Sequence, residues 1–549
     1  MEALESEVAS NSYTYSFFTI LFATIIILSI IHYLQSLTRY SQLGNRLPGP
    51  PTVPFLGNAL YGLRNPEDVM KIALRFHSEY GSVIKGWMGG KLYVFFADPR
   101  DIEIVLSSQV HIDKSPDYKF FKPWLGDGLL ISTGHKWRSH RKLIAPTFHL
   151  NVLKSFIGLF NENSRKIVKR MESEIGKEFD VHDYMSTLTV DILIETAMGI
   201  KKTHQDNAGY DYAMAVMKMC DIIHKRTYQV WLRFDALFRF SQYSKIQQQL
   251  LNTIHSLTNS VIREKKALFA RSGSYVSSDV PDLDIEQEKE DLKQKNEKPL
   301  SGPFMKDDLD DDVVIGGKKR KAFLDFMLEQ QGESKLTDAE IKEEVDTIMF
   351  EGHDTTAAGS SFTLCLLGLY QDIQDKVYEE LREIFGDSDR PVTFADTVNM
   401  KYMERVIMET LRLYPPVPAI ARELNEDIKL ASMNEIVPAG AIVVIGTYGV
   451  HRRKDIWGEN AEVFDPDNFL PERMQERHYY SYIPFSAGPR SCVGRKYALL
   501  KLKVILATIL RTYRIRSDVS EKDFKMTCDI ILKRKDGFRI RIEKRNATA

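Results

Sequence analysis

Between Val8 and Thr38 the chain carries no Asp, Glu, Lys or Arg, and the centre of that span, Phe17–Leu34, reads FFTILFATIIILSIIHYL. An apolar run of roughly twenty residues matches what a helix needs to cross about 30 Å of hydrocarbon. A cleavable signal peptide would show a basic start and a shorter apolar run ending in small residues. Here Glu2, Glu5 and Glu7 precede the run, and Arg39 and Arg46 lie just after it. The positive-inside rule therefore keeps the chain beyond the run in the cytosol. The expectation is a short lumenal N-terminus (1–12), an uncleaved single-pass anchor (13–36) and a cytosolic body. Leu47-Pro-Gly-Pro-Pro-Thr-Val-Pro54 holds four prolines in eight residues, which cannot continue a helix and favour a stiff extended segment. From its position, 37–54 reads as a spacer between membrane and body rather than as a ligand for a proline-binding domain.

Composition bounds the body. The 549 residues would suggest three or four domains by length alone. One stretch distorts that count: from Ser272 to Gly316 thirteen Asp and Glu face five Lys, with almost no aromatics. Such a segment cannot bury enough surface to offset its ordering entropy and reads as a solvated insert. Without it and the N-terminal 54 residues the remainder, about 450 residues, suits one large domain at 55–549. Lys plus Arg total 74 against 75 Asp plus Glu, so no chain-wide basic footprint for nucleic acid exists. The four cysteines, Cys220, Cys365, Cys492 and Cys528, lie far apart without a CxxC pair. That excludes a disulfide scaffold and a zinc ribbon and points to a reducing compartment.

Periodicity predicts a mainly α fold with small β-sheets. Helical patterns cover 66–80, 151–176, 186–199, 243–270, 320–331, 338–371, 373–385, 398–412 and 496–513. Short β-rich runs occupy 82–97, 427–446 and 523–543.

The chemistry concentrates toward the C-terminus. Phe485-Ser-Ala-Gly488-Pro-Arg490-Ser-Cys492-Val-Gly494 places a cysteine on a glycine-punctuated loop just before a helix. Backbone N–H groups and a helix dipole there favour a thiolate, and the glycines let backbone approach a flat ligand. This F-x-x-G-x-R-x-C-x-G string resembles the haem-thiolate loop of cytochromes P-450 at every defined position. Glu409-Thr-Leu-Arg412, with Phe464-Asp-Pro-Asp-Asn-Phe-Leu-Pro471-Glu-Arg473 after it, resembles the family's E-x-x-R and P-E-R elements. The resemblance implies a structural network of Glu409, Arg412 and Arg473. Phe350-Glu351-Gly352-His353-Asp354-Thr355-Thr356 lies within a long apolar helix, where its composition opposes helix propensity. It resembles the family's oxygen-binding kink, so that Met349–Thr356 would line the distal side, Thr355 would bond iron-bound oxygen and Asp354 would relay protons. Trp137-Arg-Ser-His-Arg141 resembles the W-x-x-x-R element; Trp137, Arg141, Arg422 and Arg490 would hold haem propionates, apt work for guanidinium forks.

The resemblance implies a cytochrome P-450 fold binding haem b, with Cys492 as iron ligand and Phe485, Gly488 and Glu351 beside the macrocycle. Electrons would come from NADPH through NADPH-cytochrome P-450 reductase at the endoplasmic reticulum membrane, with cytochrome b5 as a further candidate donor. Lys136, Arg138, Lys142, Arg495, Lys496, Lys501 and Lys503 are candidates for the reductase-facing surface. Glu351 before Gly-His-Asp-Thr-Thr is typical of family 4, the fatty-chain hydroxylases, and in some members is ester-linked to haem; that link stays open for this chain. The acidic insert and the string 351–362 look most like the insect G subfamily. That implies oxidative decarbonylation of long-chain fatty aldehydes to hydrocarbons, with terminal hydroxylation of fatty acids as the alternative. A non-oxidative haem-thiolate isomerase or lyase, or a non-catalytic haem protein, would have no use for the Asp354-Thr355 pair. Deleting 272–316 should leave haem incorporation intact; a reduced carbon-monoxide difference spectrum of the purified deletion variant checks this, and a lost band would show that the insert packs.

Overall fold

The computed structural model describes residues 2–63, 66–201, 208–272, 321–332 and 336–545. Apart from Ser272, the acidic insert expected at 272–316 lies outside the described residues.

The first helix, Glu2–Ser36, runs back through the residues expected as a separate lumenal tail. Its span Ser16–Ser36 has no buried residue and is long and apolar enough to cross a membrane, which fits an anchor. The segment after it, expected as a spacer at 37–54, begins as a helix. Thr38 caps a further helix, Arg39–Arg46, by accepting a hydrogen bond from Ser41 N–H. Only from Leu47 is the chain extended, and it is strapped to the body. Tyr40 Oη accepts from Leu92 N–H at 3.0 Å, Asn45 Oδ1 accepts from Trp87 Nε1 at 3.1 Å, and Pro48 O accepts from Lys85 N–H at 2.7 Å.

That strap lies against a four-stranded sheet. Its strands are β1 (Val83–Met88), β2 (Lys91–Phe96), β4 (Ile420–Glu423) and β7 (Ile442–Ile445), in the order β1-β2-β7-β4. The β2–β7 pair is parallel and the others antiparallel. Three small sheets complete the β structure: β3 (Phe179–Asp180) with β11 (Arg539–Lys544) and β8 (Tyr513–Arg516), β5 (Ile428–Lys429) with β6 (Ile436–Val437), and the hairpin β9 (Met526–Asp529) with β10 (Ile531–Arg534).

Much of the large helical core packs around one helix, Asp338–Leu369. Thr337 and Glu340 start it with a reciprocal capping box. From Val345 onward it is buried on nearly all sides, as a helix apolar all round must be. The helices Val181–Thr196 and Arg495–Thr512 and the strand β8 pack against it. The helix bounds read from the sequence agree with these elements to within a few residues, except that the pattern at 151–176 breaks at Phe156 into two helices.

The helix Lys401–Leu413 carries the buried knot of the fold. Arg412, fully buried, donates two parallel hydrogen bonds to Glu409, at 2.6 and 2.7 Å. Its remaining N–H groups reach the carbonyls of His451 (2.8 Å), Ala461 (2.6 Å) and Val463 (3.2 Å). Glu409 also accepts from Asp465 N–H and from Asn468 Nδ2. The place expected for Arg473 is thus taken by Asn468. Arg473 is half exposed and pairs with Asp465 at 3.1 Å, because it sits on a short surface helix, Pro471–Gln475, one turn beyond the buried strand of contacts. The arginine next to the knot is Arg477, which donates to Asn468 O and stacks on Trp457. Removing one partner of a buried ion pair costs about 3–5 kcal/mol, a large share of the roughly 5–15 kcal/mol that holds a domain together. Arg412→Met should therefore abolish haem incorporation and lower the melting temperature, read by carbon-monoxide difference spectra and thermal unfolding; wild-type values would remove the knot from its role.

Candidate active site

Cys492 sits at the end of a loop that folds back on itself: its N–H donates to Phe485 O at 2.9 Å. Gly488 makes the tightest approach. It has φ +69°, and a Cβ there would stand 1.9 Å from the carbonyl oxygen of Leu106, so no side chain fits. Burial pushes the Cys492 thiol up to about 11, Glu351 adds to this, and the Gly494 N–H pulls it only part of the way back. The loop donors alone do not make a thiolate; a metal cation at the sulfur would.

The cavity facing Cys492 is walled on its other side by the long helix. Ile348, Glu351, Gly352, Thr355, Thr356 and Gly359 line it, the i, i+3, i+4 stripe of one helix face. The expected distal set 349–356 is therefore cut to that stripe, since Met349, Phe350, His353 and Asp354 point elsewhere. Thr355 Oγ1 donates to Glu351 O at 2.6 Å. The helix runs unbroken through this point. Burial pushes Glu351 up to about 7, against the pull of Lys114. Asp354 is fully buried on the opposite side, where Lys533 on β10 holds it at 2.7 Å. Burial pushes its carboxyl up, but the Lys533 ammonium outweighs this and leaves it below the ordinary value.

One edge of the cavity is cationic. Trp137, on the helix Gly134–Ile144, lies under the Arg490 guanidinium, 4.7 Å from its ring centroid. Arg490 donates to the carbonyls of Ile112, Leu129 and Ser132. Arg141 reaches Ser491 Oγ at 3.3 Å. Arg422 is buried on β4, two residues beyond the cavity-lining Ile420, and bridges to the backbone of Lys114. Burial and then Arg422 push Arg490 down to about 9; burial, Arg422 and Arg490 lower Lys114 well below its ordinary value. Buried cations that repel one another call for an anionic partner. Among the described residues no cluster of His, Cys, Asp or Glu could chelate a bare metal ion. A single sulfur, a slot and a cationic edge instead suit a metal carried in a flat macrocycle with carboxylates: haem.

Other expectations are redrawn. Lys501 and Lys503 are buried rather than on a reductase-facing surface, because the helix Arg495–Thr512 is enclosed on all sides from Leu499 to Leu510. Lys501 donates to Gly352 O at 2.8 Å, and Lys503 to Thr397 O and Glu404. Arg495 is also buried, and Lys136 is tied to Glu343 at 2.7 Å. Arg138 and Lys142 are exposed. Lys114, Leu129, Leu130, Val417 and Ile420 also line the cavity. Sequence reading missed the parts played by His451 and Lys533, which sit in no motif, and by Asn468, which lies inside the string 464–473.

Loop, helix face and cationic edge together define a haem-thiolate site on a helical fold. Comparison with known proteins agrees: the model of the Cytochrome P450 family matches residues 47–541. The chain is 54% identical to cytochrome P450 4g15 of Drosophila melanogaster over all of both chains. It is 48% identical to cytochrome P450 4g1 of the same organism, covering 99% of this chain and 98% of that one, and 36% identical to human cytochrome P450 4V2, covering 94% of each. The chain belongs to the cytochrome P450 family, among family 4 members. It is a monooxygenase that takes haem through a cysteine thiolate and electrons from a reductase.

Two substitutions test the site. Cys492→Ala should abolish the haem-thiolate carbon-monoxide band, and a retained band would take Cys492 out of its role. Thr355→Ala should keep that band while product formed per NADPH consumed falls about tenfold or more, a lower bound below the roughly 10²–10⁴-fold that one proton-transfer group typically contributes; full coupling would undo the assignment.

Proposed function

We propose that this chain is a membrane-anchored monooxygenase of long-chain lipids, and that its reaction is the oxidative decarbonylation of long-chain fatty aldehydes to hydrocarbons. The observation that carries the lipid reading is the division of the cavity wall. Charge is confined to Lys114, Arg141, Glu351 and Arg490, while Leu129, Leu130, Leu193, Ile348, Val417 and Ile420 present hydrocarbon. With the charged rim taken by haem propionates in this reading, the apolar walls are left to face a hydrocarbon chain, which they desolvate at no polar cost. The aldehyde reading is supported by the string 351–362, the acidic insert and the likeness to the two 4g relatives. Terminal hydroxylation of fatty acids is the second reading, favoured by Glu351, which this chain shares with fatty-chain hydroxylases.

Haem held by a cysteine thiolate supplies activation of dioxygen with electrons that begin at NADPH. In this reading the chain's own residues do the rest. Cys492 would ligate the iron; Arg141, Arg422, Arg490 and Lys114 would neutralise and orient the propionates, and Trp137 would help hold them in place. Phe485 and Gly488 would shape the near side, and Glu351 would face the macrocycle from the long helix. Thr355 Oγ1 is the last donor on the cavity face, and Asp354 behind it supplies its proton. Arg138 and Lys142 belong to the surface an acidic reductase, or cytochrome b5, would dock on. The anchor places the body on the cytosolic side of the endoplasmic reticulum membrane.

Reconstitution with reductase and NADPH, offering a long-chain aldehyde and the matching fatty acid, is the test. Hydrocarbon from the aldehyde is the expected product. Hydroxy acid without hydrocarbon would overturn the aldehyde reading in favour of the hydroxylase.

A further inference from the structure

Asp354 presents a problem that the motif does not solve. It faces away from the cavity, is fully buried and is in ion contact with Lys533 through both oxygens, at 2.7 and 2.9 Å. A carboxylate so placed can supply protons only if something loads it from outside.

The space around the pair is polar. His353, on the same helix, is fully buried with neither ring nitrogen hydrogen-bonded among the described residues. The Tyr212 hydroxyl is likewise unpartnered, its ring 5.6 Å from that of His353. His182 bonds Ser361 through Nδ1 at 3.1 Å and leaves Nε2 unpartnered. Buried polar atoms in such numbers are the kind that ordered water satisfies. Burial holds His353 at about 4 and His182 at about 3, so both rings are neutral and the charged groups are Asp354 and Lys533.

The outward side is the β9–β10 hairpin. Lys533 pairs across it with Thr527, and Ile531 with Asp529. Residues opposite one another, and residues two apart, share a face, so Lys533 and Asp529 lie on one face of the hairpin. Asp529 is partly exposed and is close enough to feel Lys533 and Asp221 electrostatically. Asp221, on the helix Ala208–Tyr228, has about a third of its side chain in solvent and pairs with Lys225.

We propose that Lys533 is the positioning residue of proton delivery, passing protons that enter at Asp529 through the hairpin face to Asp354. The proposal rests on Asp354 as the proton supplier to the cavity. In each transfer an N–H bond of the Lys533 ammonium breaks as an O–H bond forms on Asp354. The neutral amine then takes a proton from the Asp529 carboxyl, directly or through a bridging water, and Asp529 is recharged from solvent. Charge is conserved and Lys533 ends as it began.

Arginine decides between relay and mere support, because it keeps the ion pair but does not give up a proton. Lys533→Arg should retain the carbon-monoxide band, while product per NADPH falls about tenfold or more and the solvent deuterium isotope effect on turnover rises. Lys533→Met should show a protonated carboxyl stretch in the infrared spectrum of the resting protein, since a buried carboxylate without its cation neutralises. The Lys533→Met/Asp354→Asn double variant should lack that stretch. Asp529→Asn, at the partly exposed entrance, should raise the isotope effect with the band intact. Wild-type coupling and isotope effect in Lys533→Arg would overturn the relay, and an unchanged isotope effect in Asp529→Asn would overturn the entrance. Wild-type coupling in Asp354→Asn would instead locate the failure in the assignment of Asp354 itself.

Discussion

The fork between Arg412 and Glu409 is the contact the rest of the structure hangs on. Five hydrogen bonds leave one guanidinium, two to a carboxylate and three to carbonyls 39 to 51 residues downstream. An arginine in that place is costly to desolvate and is tolerable only because every donor is met. The knot continues toward the chemistry through His451. Its Nδ1–H donates to Arg412 O and its Nε2 accepts from Ile483 N–H, two residues before Phe485. Burial and Arg412 hold the ring neutral, at about 3, so one tautomer serves both bonds. The cysteine loop is thereby fixed to the core on one side and by Gly488 against Leu106 on the other.

Legibility tracked chain locality. The loop 485–494 is a string of neighbours whose geometry is set by its own glycines, and it could be read directly. So could the helix bounds, because periodicity is a local property. The stripe on the long helix was readable only in part: the motif names consecutive residues, whereas a helix sends only every third or fourth to one side. Lys501 and Lys503 misled because a lysine-rich string looks solvated, whereas the helix that carries them is enclosed on every side and each ammonium finds a buried acceptor. His451 and Lys533 gave no signal. Each acts on a residue far away in sequence, and pairing of that kind is created by topology alone. Arg473 misled because a motif was matched where the deciding fact was which of several nearby polar residues the short helix turns inward.

The site is asymmetric in a way that suits its family. Guanidinium and ammonium groups crowd one rim, the sulfur lies at the floor, and the far wall is hydrocarbon apart from Glu351 and the threonines. Burial, and then mutual repulsion, lowers both Lys114 and Arg490, so that rim is suited to an anionic partner.

The strap at 40–48 bears on how the body meets the lipid. Because Tyr40, Asn45 and Pro48 are hydrogen-bonded to the first two strands, the anchor ends in a bracket rather than a tether. The His32 ring on the anchor packs at a tilt against Phe55, centroids 5.1 Å apart, so the joint is braced from both sides. A bracket transmits tilt: whatever angle the anchor adopts in the bilayer is passed to the sheet and through it to the cavity. Bilayer thickness, which sets that angle, then becomes a parameter of how the enzyme is aimed.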